Sequence, residues 1–117
     1  MDDERALLFA KMAAAVMELG FRNGPGFHKS ELDVLATILD NTIGQGRFFA
    51  QIHRDDLCEA TGYSAVSVSK ALTRLQKSGV VIRFKTGGSG KTGHGRAPYT
   101  YKIDMRGVNR LLRKEAA

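Results

Sequence analysis

The chain has 117 residues, which is enough for one domain that buries its own core, and its 43% apolar and 26% charged residues exclude disordered and collagen-like classes. The single cysteine, Cys58, excludes an intramolecular disulfide, and no apolar run reaches the length of a membrane span. The net charge is +6. Because a single cysteine fits a reducing cytoplasm and the acidic start is unlike a signal peptide, we expect a soluble cytoplasmic protein without a membrane partner.

Two helices are predicted in the first part of the chain. The first covers residues 3–19, which are rich in strong helix formers and carry two adjacent apolar stripes, so it is expected to be buried on more than one side. The stripes are Leu8, Met12, Val16 and Leu19, and beside them Phe9, Ala13 and Met17. Gly and Pro in residues 20–29 predict a break. Ser30, with Asp33, is expected to cap a second helix. The apolar face of this helix is predicted to be Leu32, Leu35, Ala36, Leu39 and Ile43.

Two further helices follow a predicted strand over 48–52. The first is short and covers 54–61, and Gly62 is expected to form the turn after it. Ser64 is expected to cap a longer helix that ends near Ser78.

The last part of the chain is predicted to form a β-hairpin and a final helix. A β-branched run predicts a strand over 80–85, and the glycines in residues 86–97 predict a loop there. Alternation of apolar and polar residues predicts a returning strand over 99–103, after which Asp104 is expected to cap the last helix.

The charge is unevenly distributed along the chain. Residues 1–45 carry a net charge of −3, whereas residues 46–117 carry +9, and there is no acid between Glu59 and Asp104. The bases in that interval are Lys70, Arg74, Lys77, Arg83, Lys85, Lys91, Arg96 and Lys102. Such a segment is typical of a protein that binds a polyanion, and the alternative is a solvated basic surface.

The two helices joined at Gly62 are interpreted as a helix-turn-helix. Apolar contacts between them are expected from Leu57, Val68, Ala71, Leu72 and Leu75. The outer face of the second helix is expected to carry Ser64, Ala65, Val66, Ser67, Ser69, Lys70, Thr73 and Arg74. Because small and basic side chains let a helix approach base edges, we expect this face to enter a DNA major groove. The alternative is a helical hairpin with a solvated, serine-rich face.

A family resemblance supports this interpretation. The segment ATGYSAVSVSKALTRLQKSGVV resembles the recognition half of bacterial winged helix-turn-helix proteins, with the pattern TG-S--TVS-AL--L---G-I, and GRAPYTYKID resembles the return strand of their wing. Leu32 to Asp104 is similar both to MarR-type regulators and to RepL-type plasmid and phage replication proteins. Val66–Ser67 departs from the pattern, which favours a polar residue followed by Thr.

The resemblance covers Leu32 to Asp104 and implies a winged helix-turn-helix there. Together with the helices predicted on either side, it leads us to expect a mainly α fold with a small β-wing (α+β), arranged as one winged helix-turn-helix domain over 1–117. Its expected parts are an N-terminal helix and loop (1–29), the winged helix-turn-helix (30–104) and a C-terminal helix (105–117). Basic residues on or beside the wing are expected to contact the DNA backbone or the minor groove. These are Arg83, Lys85, Lys91, His94 and Arg96. The alternative is a surface loop whose bases bind nothing specific.

The leading functional hypothesis is sequence-specific binding of double-stranded DNA by a repressor-like regulator of transcription. The second is a replication or maintenance factor that binds origin repeats, and the third is a winged helix that contacts protein or RNA. The histidines and Cys58 lack metal-ligand spacing, and no nucleophile–base pair is recognisable, so we expect no metal, cofactor or enzymatic activity. No small-molecule effector is indicated.

Surplus apolar surface on the first helix predicts a homodimer, because contiguous exposed apolar patches are uncommon on monomers. The alternative is that both apolar stripes are buried in the core of the same chain. The expected interface is Leu8, Met12, Val16, Leu19, Leu111 and Leu112.

Overall fold

The computed structural model describes residues 3–22, 26–85 and 99–116, with the side chains of Lys85 and of residues 114–116 outside the description. This part of the chain forms five α-helices and one three-stranded antiparallel sheet. The elements are α1 (Asp3–Arg22), α2 (Lys29–Asn41), β1 (Phe49–Ile52), α3 (Arg54–Thr61), α4 (Ala65–Ser78), β2 (Val81–Lys85), β3 (Tyr99–Ile103) and α5 (Met105–Ala116). A 3₁₀ turn, Ile43–Gln45, follows α2. The predicted mainly helical α+β fold is confirmed.

The last strand in the chain is the central strand of the sheet. The strand order is β1-β3-β2, and β3 pairs antiparallel with both neighbours. Tyr101 lies opposite Ala50 on one side and Arg83 on the other. Side chains alternate between the two faces of a strand, and residues paired across the strands lie on the same face. The register therefore shows which residues of each strand face the core.

The core lies between one face of the sheet and the helices. Tyr101 and Ile103 of β3 and Val81 of β2 are buried there. The fully buried helical side chains that they join include Val34, Ile38, Leu57, Val68 and Leu75. Helices α1 and α5 add Phe9, Val16, Leu19 and Val108, so both terminal helices belong to the same core.

Helix α1 is longer than predicted and is buried on one side only. It continues past Gly20 to Arg22, whose guanidinium forms an ion pair with Glu18 one turn earlier (2.6 Å). Its two predicted stripes do not separate the buried from the exposed positions, because Leu8 and Met17, one from each stripe, are 46% and 53% exposed. The prediction of burial on more than one side was wrong, since the core contacts one face of the helix.

The cap of α2 lies two residues earlier than predicted, at His28 instead of Ser30. His28 is the N-cap residue, and its backbone N–H donates to the carboxylate of Glu31 (3.3 Å). The predicted face is rotated, because Val34 and Ile38 are fully buried while Ala36 is exposed. Helices α1, α3 and α4 and the sheet all contact α2, so several elements together cover its buried side.

The other predicted elements agree closely with the structure. β1 and β2 each begin one residue later than predicted, and α3 has the predicted bounds. The carboxylate of Asp104 accepts a hydrogen bond from the backbone N–H of Arg106 (3.0 Å), as expected for a cap of α5. Helix α5 packs closely on the turn after α4, because a Cβ atom on Gly107 would overlap the carbonyl oxygen of Gly79.

Candidate nucleic-acid interface

The turn between α3 and α4 has the backbone geometry expected for a tight helix-turn-helix. Gly62 ends α3 with φ of 79°, a left-handed conformation that side chains disfavour. Ser64 then caps α4, and its hydroxyl oxygen accepts a hydrogen bond from the backbone N–H of Ser67 (3.2 Å). The predicted apolar contacts, Leu57, Val68, Ala71, Leu72 and Leu75, are all buried.

The opposite side of α4 faces solvent. Val66 is 64% exposed, and Lys70 and Thr73 are exposed one and two turns later. Ala65, Ser67 and Ser69 are half-buried, whereas Ser64 and Arg74 are exposed. The predicted outer-face residues therefore all have at least part of their surface accessible. Two of them, Ser69 and Arg74, also hold α4 in place.

An ion pair joins α4 to α2. The Arg74 guanidinium lies 3.3 Å from the carboxylate of Glu31, whose side chain is only 5% exposed. The same carboxylate accepts the backbone N–H of His28 at the start of α2. Sequence reasoning assigned Arg74 only to DNA, because nothing in the spacing of residues 31 and 74 indicates that the two helices meet there.

A second polar contact anchors the start of α4. The Tyr63 hydroxyl donates to a carboxylate oxygen of Asp33 (2.5 Å), and the Lys29 ammonium donates to the same oxygen (2.8 Å). These hydrogen bonds, with Lys29 contributing most, lower the pKa of the Asp33 carboxyl. The hydrogen bond to Asp33 likewise raises the pKa of the Tyr63 hydroxyl. The turn before α4 is thereby tied to α2.

Two arginines lie where α3, α4 and the sheet meet. Arg54, the first residue of α3, donates from Nη1 to the Ser69 hydroxyl (3.3 Å). Its Nε atom is buried and has no hydrogen-bond partner within the described part of the chain. Arg83 of β2 lies over the ring of Tyr99, 4.2 Å from its centroid.

The pKa of the Tyr101 hydroxyl depends on both arginines. Burial raises the pKa of its hydroxyl, and the positive charges of Arg83 and Arg54 partly oppose this shift. Arg83 lies opposite Tyr101 in the sheet, and Arg54 is held beside Ser69 of α4; we call these two arginines the cationic corner. Sequence reasoning missed Arg54, because only the crossing of α3 and α4 brings it beside Ser69.

The predicted wing residues fall largely outside the described residues. Lys91, His94 and Arg96 lie in the segment 86–98, which is not described. Lys85 pairs through its backbone with Tyr99 at the end of the sheet. Of the predicted wing cations, the structure thus places the side chain of Arg83 alone.

The predicted dimer residues do not form one surface. Val16 and Leu19 are 3% and 0% exposed and belong to the core of the same chain, so their assignment to an interface was wrong. Leu111 and Leu112 are half-buried against the core, as is Met12, whereas Leu8 is largely exposed.

A different stripe of α1 is apolar and exposed. It consists of Leu7, Ala10, Ala14, Met17 and Phe21, all of which are exposed. The spacing alternates between three and four residues, as in the seam of a coiled coil. Leu7 and Phe21 at its two ends are 56% and 86% exposed. Sequence reasoning selected the stripe of Leu8 and Met12 instead. Both stripes are apolar, and only the core contacts of α1 show which of them remains exposed.

Comparison with known proteins provides no assignment. No protein-family model matches the chain, and no curated protein shows significant sequence similarity to it. Within residues 3–22, 26–85 and 99–116, no helix is long and apolar enough to cross a membrane. The same residues contain no group of three or more side chains suited to hold a metal ion.

Proposed function

We propose that this chain binds double-stranded DNA by placing α4 in the major groove. The main observation behind this proposal is that the two sides of α4 differ. One side is buried against the core, and the other exposes Val66, Lys70 and Thr73. Because no carboxylate occurs between residues 60 and 103, nothing on α4 or the adjoining strands repels a phosphate backbone.

The arrangement around α4 supports a winged helix-turn-helix. The element order from α2 to β3, with β3 returning to the centre of the sheet, is the order that the family resemblance implies. In this proposal residues 86–98, which join β2 to β3, are the wing, and Lys85, Lys91, His94 and Arg96 contact the DNA backbone.

The cationic corner of Arg54 and Arg83 fits a phosphate beside the groove. Arg54 is held by Ser69 of α4, so a phosphate bound there has a fixed position relative to the recognition surface. Phosphate contacts of this kind orient a protein on DNA, whereas contacts to base edges supply sequence specificity. Lys70 and Thr73 are our proposed base-reading residues.

Selection of bound duplexes followed by Lys70→Ala tests this proposal. Loss of one good base contact costs about 1–3 kcal/mol, so Lys70→Ala should weaken binding to the selected duplex by about fivefold to about a hundredfold more than binding to random duplex. Lys77→Ala removes another exposed cation, from the last turn of α4, and is the matched control. Equal losses on both duplexes for Lys70→Ala would show that α4 does not read bases.

We propose a regulatory role in transcription, and the genomic position of the selected sites tests it. Sites near promoters are expected. Clustered repeats at a replication origin would instead support a replication or maintenance factor, which the family resemblance allows equally.

We further propose a homodimer in which two copies of α1 pack antiparallel along the exposed stripe. Its small central residues, Ala10 and Ala14, allow two helices to approach closely. In an antiparallel pair centred on Ala14, Lys11 of one copy lies near Glu18 of the other, and the reciprocal contact follows from symmetry. The pairing therefore joins opposite charges beside an apolar seam.

Light scattering of Ala14→Glu tests the dimer. The wild-type chain should scatter as twice its monomer mass of 12.8 kDa, and Ala14→Glu should scatter as a monomer, because the two glutamates would meet at the two-fold axis. Ala36→Glu makes the same change at an exposed alanine of α2 and should remain dimeric. A monomeric wild type, or a dimeric Ala14→Glu, contradicts this interface.

A further inference from the structure

The face of the sheet opposite the core carries an unusual set of side chains. They form two rows across the three strands, Phe49–Lys102–Ile82 and Gln51–Thr100–Phe84. A solvated face of an antiparallel sheet is normally polar. Here Phe49 is 59% exposed and Phe84 is 47% exposed, and Ile82 is half-buried. The pattern indicates a surface that another molecule covers.

The charge on this face identifies the kind of partner. Lys102 lies in the central strand between Phe49 and Ile82, and none of the six residues is acidic. Arg47 lies at the edge of the same face, where it lines a shallow depression with Phe49, Gln51 and Thr100. Lys102 favours a partner with negative charge, because burying an unpaired ammonium group is costly.

A second copy of the chain does not meet this requirement. A two-fold contact through this face would bring the two Lys102 ammonium groups together, which is repulsive. In the homodimer proposed above, moreover, the copies meet through the exposed stripe of α1, and this leaves the sheet face free. The occupant of the sheet face must therefore combine negative charge with flat apolar groups.

We propose that this face binds single-stranded nucleic acid. Unpaired bases would stack on the rings of Phe49 and Phe84, while Lys102 and Arg47 contact the phosphates. The two phenylalanines are two strands and two residues apart, a separation of about 12 Å, so each ring accepts a different base. Because α4 packs against the other side of the sheet, this site is distinct from the proposed duplex surface and does not depend on it.

A single tryptophan provides a direct probe of stacking. The chain contains no tryptophan, so the fluorescence of Phe84→Trp reports on position 84 alone. An oligothymidylate of about 15 nucleotides should quench this fluorescence, because a base stacks on the indole ring. Poly-glutamate of equal charge should bind weakly and leave the fluorescence unchanged.

Leucine substitutions measure the contribution of the rings. Phe49→Leu and Phe84→Leu keep an apolar side chain but remove the flat ring, and each should weaken binding of the oligothymidylate by about fivefold to about a hundredfold in fluorescence anisotropy. Binding of duplex DNA should be equal in both variants and the wild type, because neither ring lies on α4.

Four outcomes would overturn the proposal. The first is that the wild-type chain fails to bind the oligothymidylate, and the second is that both sheet variants bind it as tightly as the wild type. The third is equal competition by poly-glutamate, which would show attraction by charge alone. The fourth is that the sheet variants change the mass in solution without changing the affinity, which would assign this face to contacts between copies of the chain. Lys70→Ala, which tests the duplex surface, should leave oligothymidylate binding unchanged, so the two proposals can fail separately.

Discussion

Arg74→Ala is expected to destabilise the protein through the buried carboxylate of Glu31. The Glu31 side chain is 5% exposed, and Arg74 supplies the positive charge 3.3 Å from it. Because Arg74 itself is 56% exposed, the ion pair taken alone is worth about 1 kcal/mol or less. The larger effect comes from Glu31, since a buried charged acceptor that loses its partner cannot regain full hydration.

The expected loss is about 2 kcal/mol of unfolding free energy, which lies within the range of about 1–3 kcal/mol for an unsatisfied buried acceptor. In a chain of this size, it corresponds to a fall of about 8 °C in Tm. Urea denaturation followed by circular dichroism measures this loss. Lys70→Ala, at an exposed position on the same helix, should change stability by less than about 0.5 kcal/mol.

A second background separates the ion pair from other effects of the substitution. Glu31→Gln removes the negative charge and keeps an acceptor for the His28 N–H, so Arg74→Ala should cost less than about 0.5 kcal/mol in that background. Equal costs in the two backgrounds would refute the reasoning, because they would show that Arg74 does not act through Glu31.

Two further substitutions test the packing and the electrostatics of the fold. Gly107→Ala should cost about 1–3 kcal/mol in urea denaturation, because its Cβ would overlap the Gly79 carbonyl, whereas Gly20→Ala, whose Cβ would lie 3.9 Å from the nearest side-chain atom, should be neutral or stabilising. An equal response of the two variants would contradict the close approach of α5. Because the pKa of Asp33 is lowered in the folded state, its ionised carboxylate adds to the free energy of unfolding. This contribution is present above about pH 3.9 and is lost as the pH falls through the pKa of Asp33 in the folded state. Between about pH 5 and about pH 2, Asp33→Asn should therefore lose less stability than the wild type, and parallel pH profiles would contradict this linkage.

Local sequence signals were sufficient for most of the elements. Ser64 and Asp104 were recognised as caps because short polar side chains satisfy free backbone N–H groups at helix starts. Gly62 was recognised as a turn because its left-handed conformation excludes most other residues. These signals depend on a few neighbouring residues, so they do not require knowledge of what packs against the element.

Signals that depend on packing partners were less informative. For α1, the sequence contains apolar residues on nearly every side, and several choices of buried face are compatible with it. In the structure Phe9, Val16 and Leu19 are buried in the core, and Leu7 and Phe21 remain exposed. The face of α2 was misplaced in part for the same reason, because Val34 and Ile38 are buried in the core whereas Ala36 is exposed.

The candidate DNA-binding surface shows the same division. The sequence by itself determined that α4 has an apolar side and a polar, basic side, since both follow from the helical period. Only the tertiary structure decided that Arg74 is paired with Glu31, that Arg54 lies beside Ser69, and that Phe49 and Phe84 share one face of the sheet. Such contacts join residues far apart in the chain, and the relative placement of whole elements determines them. No local pattern encodes that placement, because it results from packing the entire core at once.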